Sequence, residues 1–338
     1  MLNVFLGFAC NLNCSYCLQA GEDERTGSPK LNLEAFKNNV IPIAQAQKIT
    51  RIAYWGGEPL LYWRHIKEAH EALLDAGLEF DFVKITTNGT LWEMDHVRDA
   101  NRWNAFVNIS RHKAFGTPNW DVTRYIKNQA YSHVITAREY ILWDFLKDVE
   151  ELEQRYGRPV YPWMNWVHAT KGCPASEYLT FDMAKEHSIH LMDLAKRLVD
   201  TNDRHIGNLF IGHMMKWRSQ MAKKQYVPLC FGNHQIDIDL QGNRYGCHHN
   251  VNKLTKVGVL GSELEPSPAL EHIHRFVNTD ECKTCPLRFW CRGNCHMSQT
   301  HEVDCYLSKR KNEVFSFLEE NWKTQAEWNH SYVTLEGK

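Results

Sequence analysis

The sequence predicts an α/β fold, a parallel sheet curled into an incomplete barrel, followed by a cysteine-rich region and a terminal helix. Three observations predict it: strand-like and helix-like segments alternate over the first two thirds of the chain, cysteines then replace helical periodicity, and an amphipathic run closes the sequence. The strands are expected at Asn3–Phe8, Ile49–Trp55, Phe80–Thr86, Ala105–Ser110, His133–Thr136 and Val160–Val167. Between them, Asn32–Ala46, Trp63–Ala76, Arg138–Tyr156 and Phe181–Val199 have helical length and period. Six strands with crossover helices make a partial (β/α)6 barrel of the TIM type, in which chemistry sits at the C-terminal ends of the strands.

A further helical stretch covers Asn208 to Lys224. Beyond it, a hairpin is expected from Gln235–Leu240, a turn at Gln241-Gly242-Asn243, and Arg244–Tyr245. Seven cysteines lie between Cys230 and Cys305, where a small apolar core stabilises poorly and bound metal stabilises well. The tail from Lys309 to Trp328 reads as a helix with Val314, Phe315, Phe317, Leu318 and Trp322 on one stripe. The expected division is therefore 1–224, 225–308 and 309–338.

The 338 residues are 43% hydrophobic, 23% charged and 12% aromatic, which suits a packed body and excludes a disordered chain. A formal net charge of −1 gives no global basic field for nucleic acid or an anionic membrane. The apolar N-terminus lacks the basic n-region of a signal peptide, and no run approaches the roughly 18 apolar residues of a spanning helix. A cytoplasmic protein without membrane association is expected. In a reducing compartment, eleven cysteines point to thiolate ligation of metal rather than disulfides.

Cys10-Asn-Leu-Asn-Cys14-Ser-Tyr-Cys17 puts three cysteines in a short loop after the first strand. Three thiolates can hold three irons of a four-iron cluster and leave the fourth iron free. By residue chemistry alone, a zinc site completed from elsewhere is an equal alternative. The turn Trp55-Gly56-Gly57-Glu58-Pro59-Leu60 follows the second strand: its glycines permit close backbone approach, and the Glu58 carboxylate can meet an ammonium group.

The CxxxCxxC loop with an aromatic residue before its last cysteine, followed by Gly-Gly-Glu-Pro, resembles the radical S-adenosylmethionine (SAM) superfamily. That resemblance implies that Cys10, Cys14 and Cys17 bind a 4Fe-4S cluster whose open iron is chelated by SAM. It implies that Gly56, Gly57, Glu58 and Pro59 form the turn that receives the SAM ammonium, with Tyr16 near the adenine. Reduction of the cluster would cleave SAM to methionine and a 5′-deoxyadenosyl radical that abstracts a substrate hydrogen. An external electron donor such as flavodoxin or ferredoxin is then required. Asn88 in Thr87-Asn88-Gly89 and Ser110 match positions that approach SAM in relatives, although Arg111-His112-Lys113 stands where relatives continue Leu-Asp-Gly. Asn165, on the sixth strand, is a further SAM-contact candidate.

The later cysteines read Cys230, Gly242, Cys247, Cys282-x2-Cys285-x5-Cys291-x3-Cys295 and Cys305. Seven thiolates suit two metal sites better than one, zinc being the structural alternative. With the N-terminal loop, this pattern resembles the SPASM extension of radical SAM enzymes. The resemblance implies an outer auxiliary 4Fe-4S cluster on Cys282, Cys285, Cys291 and Cys305, and an inner one on Cys230, Cys247 and Cys295. Upstream of Cys230 the chain has Lys224 and Gln225 where a fourth inner cysteine would stand, so an open or non-cysteine inner site is expected. Cys173, in Lys171-Gly172-Cys173-Pro174, is expected either as a buried small residue or as a substrate or cluster contact at the barrel mouth.

SPASM-bearing relatives mostly modify peptides, so oxidation, crosslinking or rearrangement of a peptide or amino-acid residue is the expected reaction. His248 and His249 follow Cys247 where sulfatase-maturing relatives place an aspartate, which argues against that reaction and marks His248 as a candidate substrate contact. The cluster loop begins within ten residues of the first Met, so a peptide substrate would call for a separate recognition protein or none. Two other classes stay open: radical modification or isomerisation of a small molecule or an amino-acid-like group on a nucleobase, and a zinc-stabilised binding protein.

Overall fold

The computed structural model describes residues 1–17, 31–167, 173–224, 236–246, 256–259, 279–291, 298 and 300–322. Cys230, Cys247, Cys295 and His248 lie outside the described residues, as do Gln225 and His249. The chain forms two compact units, Met1–Gln129 with Cys230–His274 and Ala130–Leu229 with Arg275–Lys338.

In the first unit, β1 (Leu2–Phe5), β2 (Arg51–Trp55), β3 (Phe82–Thr87) and β4 (Phe106–Arg111) run parallel, with β7 (Ile236–Asp239) parallel to β1. The hairpin partner β8 (Asn243–Tyr245) and then β9 (Lys256–Val259) add antiparallel, giving the order β4-β3-β2-β1-β7-β8-β9. The registers sort side chains to two faces, because alternate residues point to opposite sides of a sheet. Leu2, Val4, Ile52, Tyr54, Val83, Ile85, Val107, Ile109, Ile236 and Ile238 form one apolar face, all buried. Asn3, Lys84, Asn108, Ser110 and Asp237 share the other with Phe5, Ala53, Phe82 and Phe106, and there Asn3 Nδ2 donates to Asp237 Oδ1 at 2.7 Å. One face is thus wholly apolar and suited to cover by helices, and the other is mixed and carries the polar side chains of the sheet.

Among the described residues, five α-helices accompany these strands. α1 (Leu33–Asn39) and α2 (Ile41–Ala46) replace the single helix expected over Asn32–Ala46. The break is at Val40, because Pro42 has no N–H to donate and its ring crowds the preceding turn. α3 (Trp63–Asp75) buries Trp63, Ile66, Ala69, His70 and Leu73, a helical stripe. Each fully buried Ile or Leu of that kind stabilises by roughly 1.5–3 kcal/mol. α4 (Met94–Arg102) had no expectation attached; its signal was local, the reciprocal cap between Glu93 and His96. A short α5 (Trp120–Thr123) follows β4.

In the second unit, β5 (Asn128–Ile135) pairs in parallel with β6 (Tyr161–Trp166). α6 (Trp143–Tyr156) starts later than the expected Arg138, because Thr136 and Glu139 close a tight bridge first. α7 (Phe181–Thr201) and α8 (Arg204–Lys223) are capped by Thr180 and Asp203. α9 (Asp280–Thr284), α10 (Arg288–Cys291) and α11 (His301–Asn321) complete it. α11 begins well before the expected Lys309, and Val314, Phe315 and Leu318 of its stripe are buried. Among the described residues, no helix is long and apolar enough to cross a membrane.

Candidate functional site

The cysteine loop leaves β1 through a backbone clamp. Gly57 N–H donates to Gly7 O at 2.7 Å, Glu58 N–H to Ala9 O at 2.9 Å, and Ala9 N–H to the Tyr62 hydroxyl at 2.9 Å. The two glycines are required by the clamp itself. A Cβ on Gly57 would lie 2.1 Å from Ala9 O, and one on Gly56, at φ +155°, would lie 2.8 Å from Gly7 O. The Gly-Gly pair therefore brings the second-strand turn against the stem of the cysteine loop.

Glu58 is fully buried, and its carboxylate accepts three hydrogen bonds: from Leu60 N at 3.1 Å, Thr87 Oγ1 at 2.6 Å and Asn88 N at 2.7 Å. Burial pushes its pKa up, and these three donors pull it part of the way back. All three are neutral groups. Glu58 thereby ties the β2 turn to the β3 turn, and Pro59 sits buried at the start of a 3₁₀ turn that runs to Tyr62.

Asn88 extends the same network to the cysteines. Its Nδ2 donates to Asn11 Oδ1 at 2.9 Å and lies 3.9 Å from Cys10 Sγ, while Asn11 Nδ2 donates to Thr90 Oγ1 at 2.8 Å. The loops after β1, β2 and β3 are thus one hydrogen-bonded assembly at the C-terminal ends of three parallel strands. Tyr16 stacks on His112, just beyond β4, with ring centroids 5.8 Å apart, and its hydroxyl is 2.5 Å from His112 Nδ1. Cys14 Sγ lies 3.7 Å from the same nitrogen.

The three thiols are partly buried and crowd one another. Burial, with the added charge of Cys17 and Cys10, drives the Cys14 thiol up to about 12, and burial raises Cys10 as well. Three thiolates in so small a loop demand positive charge, which is what a bound iron cluster provides; the donor set fits the group implied by the sequence. Among the described residues, no three His, Cys, Asp or Glu side chains close around a single metal ion.

Ser110 is half-buried near the end of β4, on the mixed face with Asn108, whose buried Oδ1 has no hydrogen-bond partner among the described residues. The remaining expected residues are in the second unit. Asn165 is exposed on β6 and accepts from Trp163 Nε1 at 3.1 Å. Cys173 is buried, with its backbone oxygen accepting from the Tyr178 hydroxyl at 2.5 Å. Cys282 and Cys285 lie in and just after α9, Cys291 ends α10, and Cys305 is in α11. Burial raises the Cys305 pKa, and Cys285 and Cys282 add to the rise, so these three thiols share one neighbourhood. Tyr62, Thr87, Asn11 and His112 position the loop. Asn11, Thr87 and His112 stand in motifs legible in the sequence; Tyr62 carried no signal.

Residues 4–138 match the family model described as the Radical SAM superfamily. No curated protein matches the chain. The fold is similar to native anSMEcpe with bound AdoMet, at TM-score 0.66 and 15% identity over 94% of this chain and 96% of the other. It is similar also to native anSMEcpe with bound AdoMet and Kp18Cys peptide, at TM-score 0.64 and 15% identity over 95% and 96%. The family match takes in Cys10, Cys14, Cys17 and the Gly56-Gly57-Glu58 turn, and the similarity of fold extends over nearly the whole chain.

Proposed function

We propose that the chain reductively cleaves SAM and uses the radical to abstract hydrogen from a peptide or amino-acid residue, leading to oxidation, crosslinking or rearrangement. The observation that carries this reading is the single assembly of three thiols, the Gly-Gly-Glu turn and Asn88 at the ends of β1, β2 and β3. When bound, the cluster supplies the electron that breaks the SAM sulfonium bond. Cys10, Cys14 and Cys17 hold that cluster. The Gly56–Glu58 turn, whose carboxylate has only neutral partners among the described residues, takes the ammonium of SAM. Tyr16 lies beside the adenine, Asn88 and Ser110 approach the rest of the nucleoside, and Asn165 is a weaker contact.

Cys282, Cys285, Cys291 and Cys305 hold an outer auxiliary cluster in this reading, supported by the shared neighbourhood of three of them. Cys230, Cys247 and Cys295 hold an inner one with an open or non-cysteine site, and residues 225–308 form the SPASM region between a core of 1–224 and a helix at 309–338. Cys173 and His248 are, in this reading, candidate contacts to substrate or cluster. The similarity to a protein solved with a bound peptide supports a peptide substrate. An external donor such as flavodoxin or ferredoxin delivers electrons in this reading.

Protein purified anaerobically should be brown, with about twelve irons when three four-iron clusters are present. SAM and a reductant should release 5′-deoxyadenosine, and Cys14→Ala should abolish that release. A colourless zinc protein would end the enzyme reading. Deuterium transfer into 5′-deoxyadenosine from a labelled peptide, but not from nucleosides, identifies the substrate class; the reverse result moves it to nucleobases.

A further inference from the structure

We infer that His112 is a positioning residue that donates a hydrogen bond from Nδ1 to the Cys14 thiolate, and so sets the reduction potential of the cluster that Cys10, Cys14 and Cys17 hold in the function proposed above. The ring is held by Tyr16, and the backbone of His112 by the turn it opens. Tyr16 stacks against it at 5.8 Å with planes 26° apart, and the Tyr16 hydroxyl lies 2.5 Å from Nδ1. The backbone of His112 opens a tight turn, its carbonyl accepting from Phe115 N at 2.7 Å and Gly116 N at 3.0 Å. That turn is docked on the cysteine loop, since a Cβ on Gly116 would lie 2.9 Å from Leu12 Cδ2.

In the Nδ1–H tautomer, which this role requires, Nδ1 faces two acceptors, the Tyr16 oxygen and, at 3.7 Å, Cys14 Sγ. A neutral phenol is a modest acceptor and an iron-bound thiolate a charged one, so ligation moves the shared N–H toward sulfur. Hydrogen bonds to cluster sulfurs stabilise the reduced, more negative state, which raises the potential. Asn88 Nδ2, 3.9 Å from Cys10 Sγ, is the corresponding group on the opposite side of the loop and makes a weaker contact. Beside the Leu12 backbone N–H, which donates to Cys10 Sγ at 3.4 Å, His112 is the closer of the two side-chain groups at the ligating sulfurs, supplied by the turn after β4, where the sequence departs from Leu-Asp-Gly.

The test is a potentiometric titration of the anaerobically reconstituted full chain without SAM, read by electron paramagnetic resonance, with iron counted for each variant. To isolate one cluster, the background carries Ala at Cys282, Cys285, Cys291 and Cys305, and at Cys230, Cys247 and Cys295. His112→Leu should bind iron as the parent does but reduce less readily. At a fixed potential its reduced-to-oxidised ratio should fall about tenfold, about 59 mV for a one-electron couple. His112→Asn, which places an N–H near the position of Nδ1, should recover most of the shift. Tyr16→Phe frees Nδ1 for Cys14 and should shift the potential upward, an effect that vanishes in the His112→Leu background. Unchanged potentials at unchanged iron content would overturn the inference and leave the proposed function intact. If His112→Leu fails to fold or to bind iron, an unshifted Tyr16→Phe potential overturns it by itself. A chain that takes up no four-iron cluster on Cys10, Cys14 and Cys17 overturns the functional reading, and the inference with it.

Discussion

Two of the buried carboxylates, Glu58 in the first compact unit and Glu153 in the second, are stabilised in different ways. Glu153 of α6 is 8% exposed; it accepts from Val160 N at 2.9 Å and His205 Nε2 at 2.6 Å, and Arg204 grips both its oxygens. Glu58 is more deeply buried and meets only neutral donors among the described residues. A buried charge is expensive unless a counter-charge faces it. Glu153 has that counter-charge within its own unit and is a structural joint between α6 and α8. Glu58 leaves its charge uncompensated at the ends of three strands, as a carboxylate awaiting a cationic ligand would.

The largest effect should come from breaking the turn that holds Glu58. Gly57→Ala forces a Cβ into Ala9 O, a rigid backbone atom, and should cost about 3 kcal/mol in a denaturant melt while displacing the cysteine loop. Equal stability of this variant and the parent would show that the clamp is looser than its distances. Next in size is the ligand itself. In the proposed site, Glu58→Gln removes the charge opposite the ammonium, and the SAM dissociation constant should rise about thirtyfold, roughly 2 kcal/mol. Calorimetry that finds unchanged affinity would remove Glu58 from the SAM site. Glu153→Gln should do the converse, leaving SAM affinity alone and lowering stability by about 1–2 kcal/mol, limited because Arg204 is half exposed.

The contrast also shows what the sequence could and could not tell. The strand-then-turn order of Cys10, Cys14, Cys17 and Gly56-Gly57-Glu58 was legible, because parallel strands put successive turns at one end whatever their lengths. That the glycines serve the stem of the cysteine loop was not, since a close approach between backbones 50 residues apart has no local signature. Glu58 was legible as a carboxylate near a ligand, but two of its three protein donors, Thr87 Oγ1 and Asn88 N, depend on the β2–β3 register, which alternation does not specify across a parallel pair. The split at Pro42 was readable from the residue itself and was outweighed by helical period over Asn32–Ala46. Glu153 and Arg204 offered no pattern at all, being an α6 residue and the first residue of α8.

The smallest effect is also the one that separates the two carboxylates most directly, since they move stability in opposite directions with pH. Burial is the largest single influence on Glu153 and raises its pKa, but the bonds from Val160 N, Arg204 and His205 together outweigh it and hold the value below the usual 4.5. Its contribution is therefore present above the unfolded carboxyl value and fades as pH falls through the folded one. Burial holds Glu58 above 4.5 despite its donors, so its contribution is full below the unfolded value and fades as pH rises through the folded one. Urea midpoints measured across acidic to neutral pH should accordingly show the advantage of the parent over Glu153→Gln growing with pH, and that over Glu58→Gln shrinking. Saturating SAM, by placing its ammonium against Glu58, should flatten the second slope and leave the first as it was. A flat Glu58 slope in the absence of SAM would mean that the carboxylate already has its cation within the protein, and that the difference between the two sites is one of burial alone.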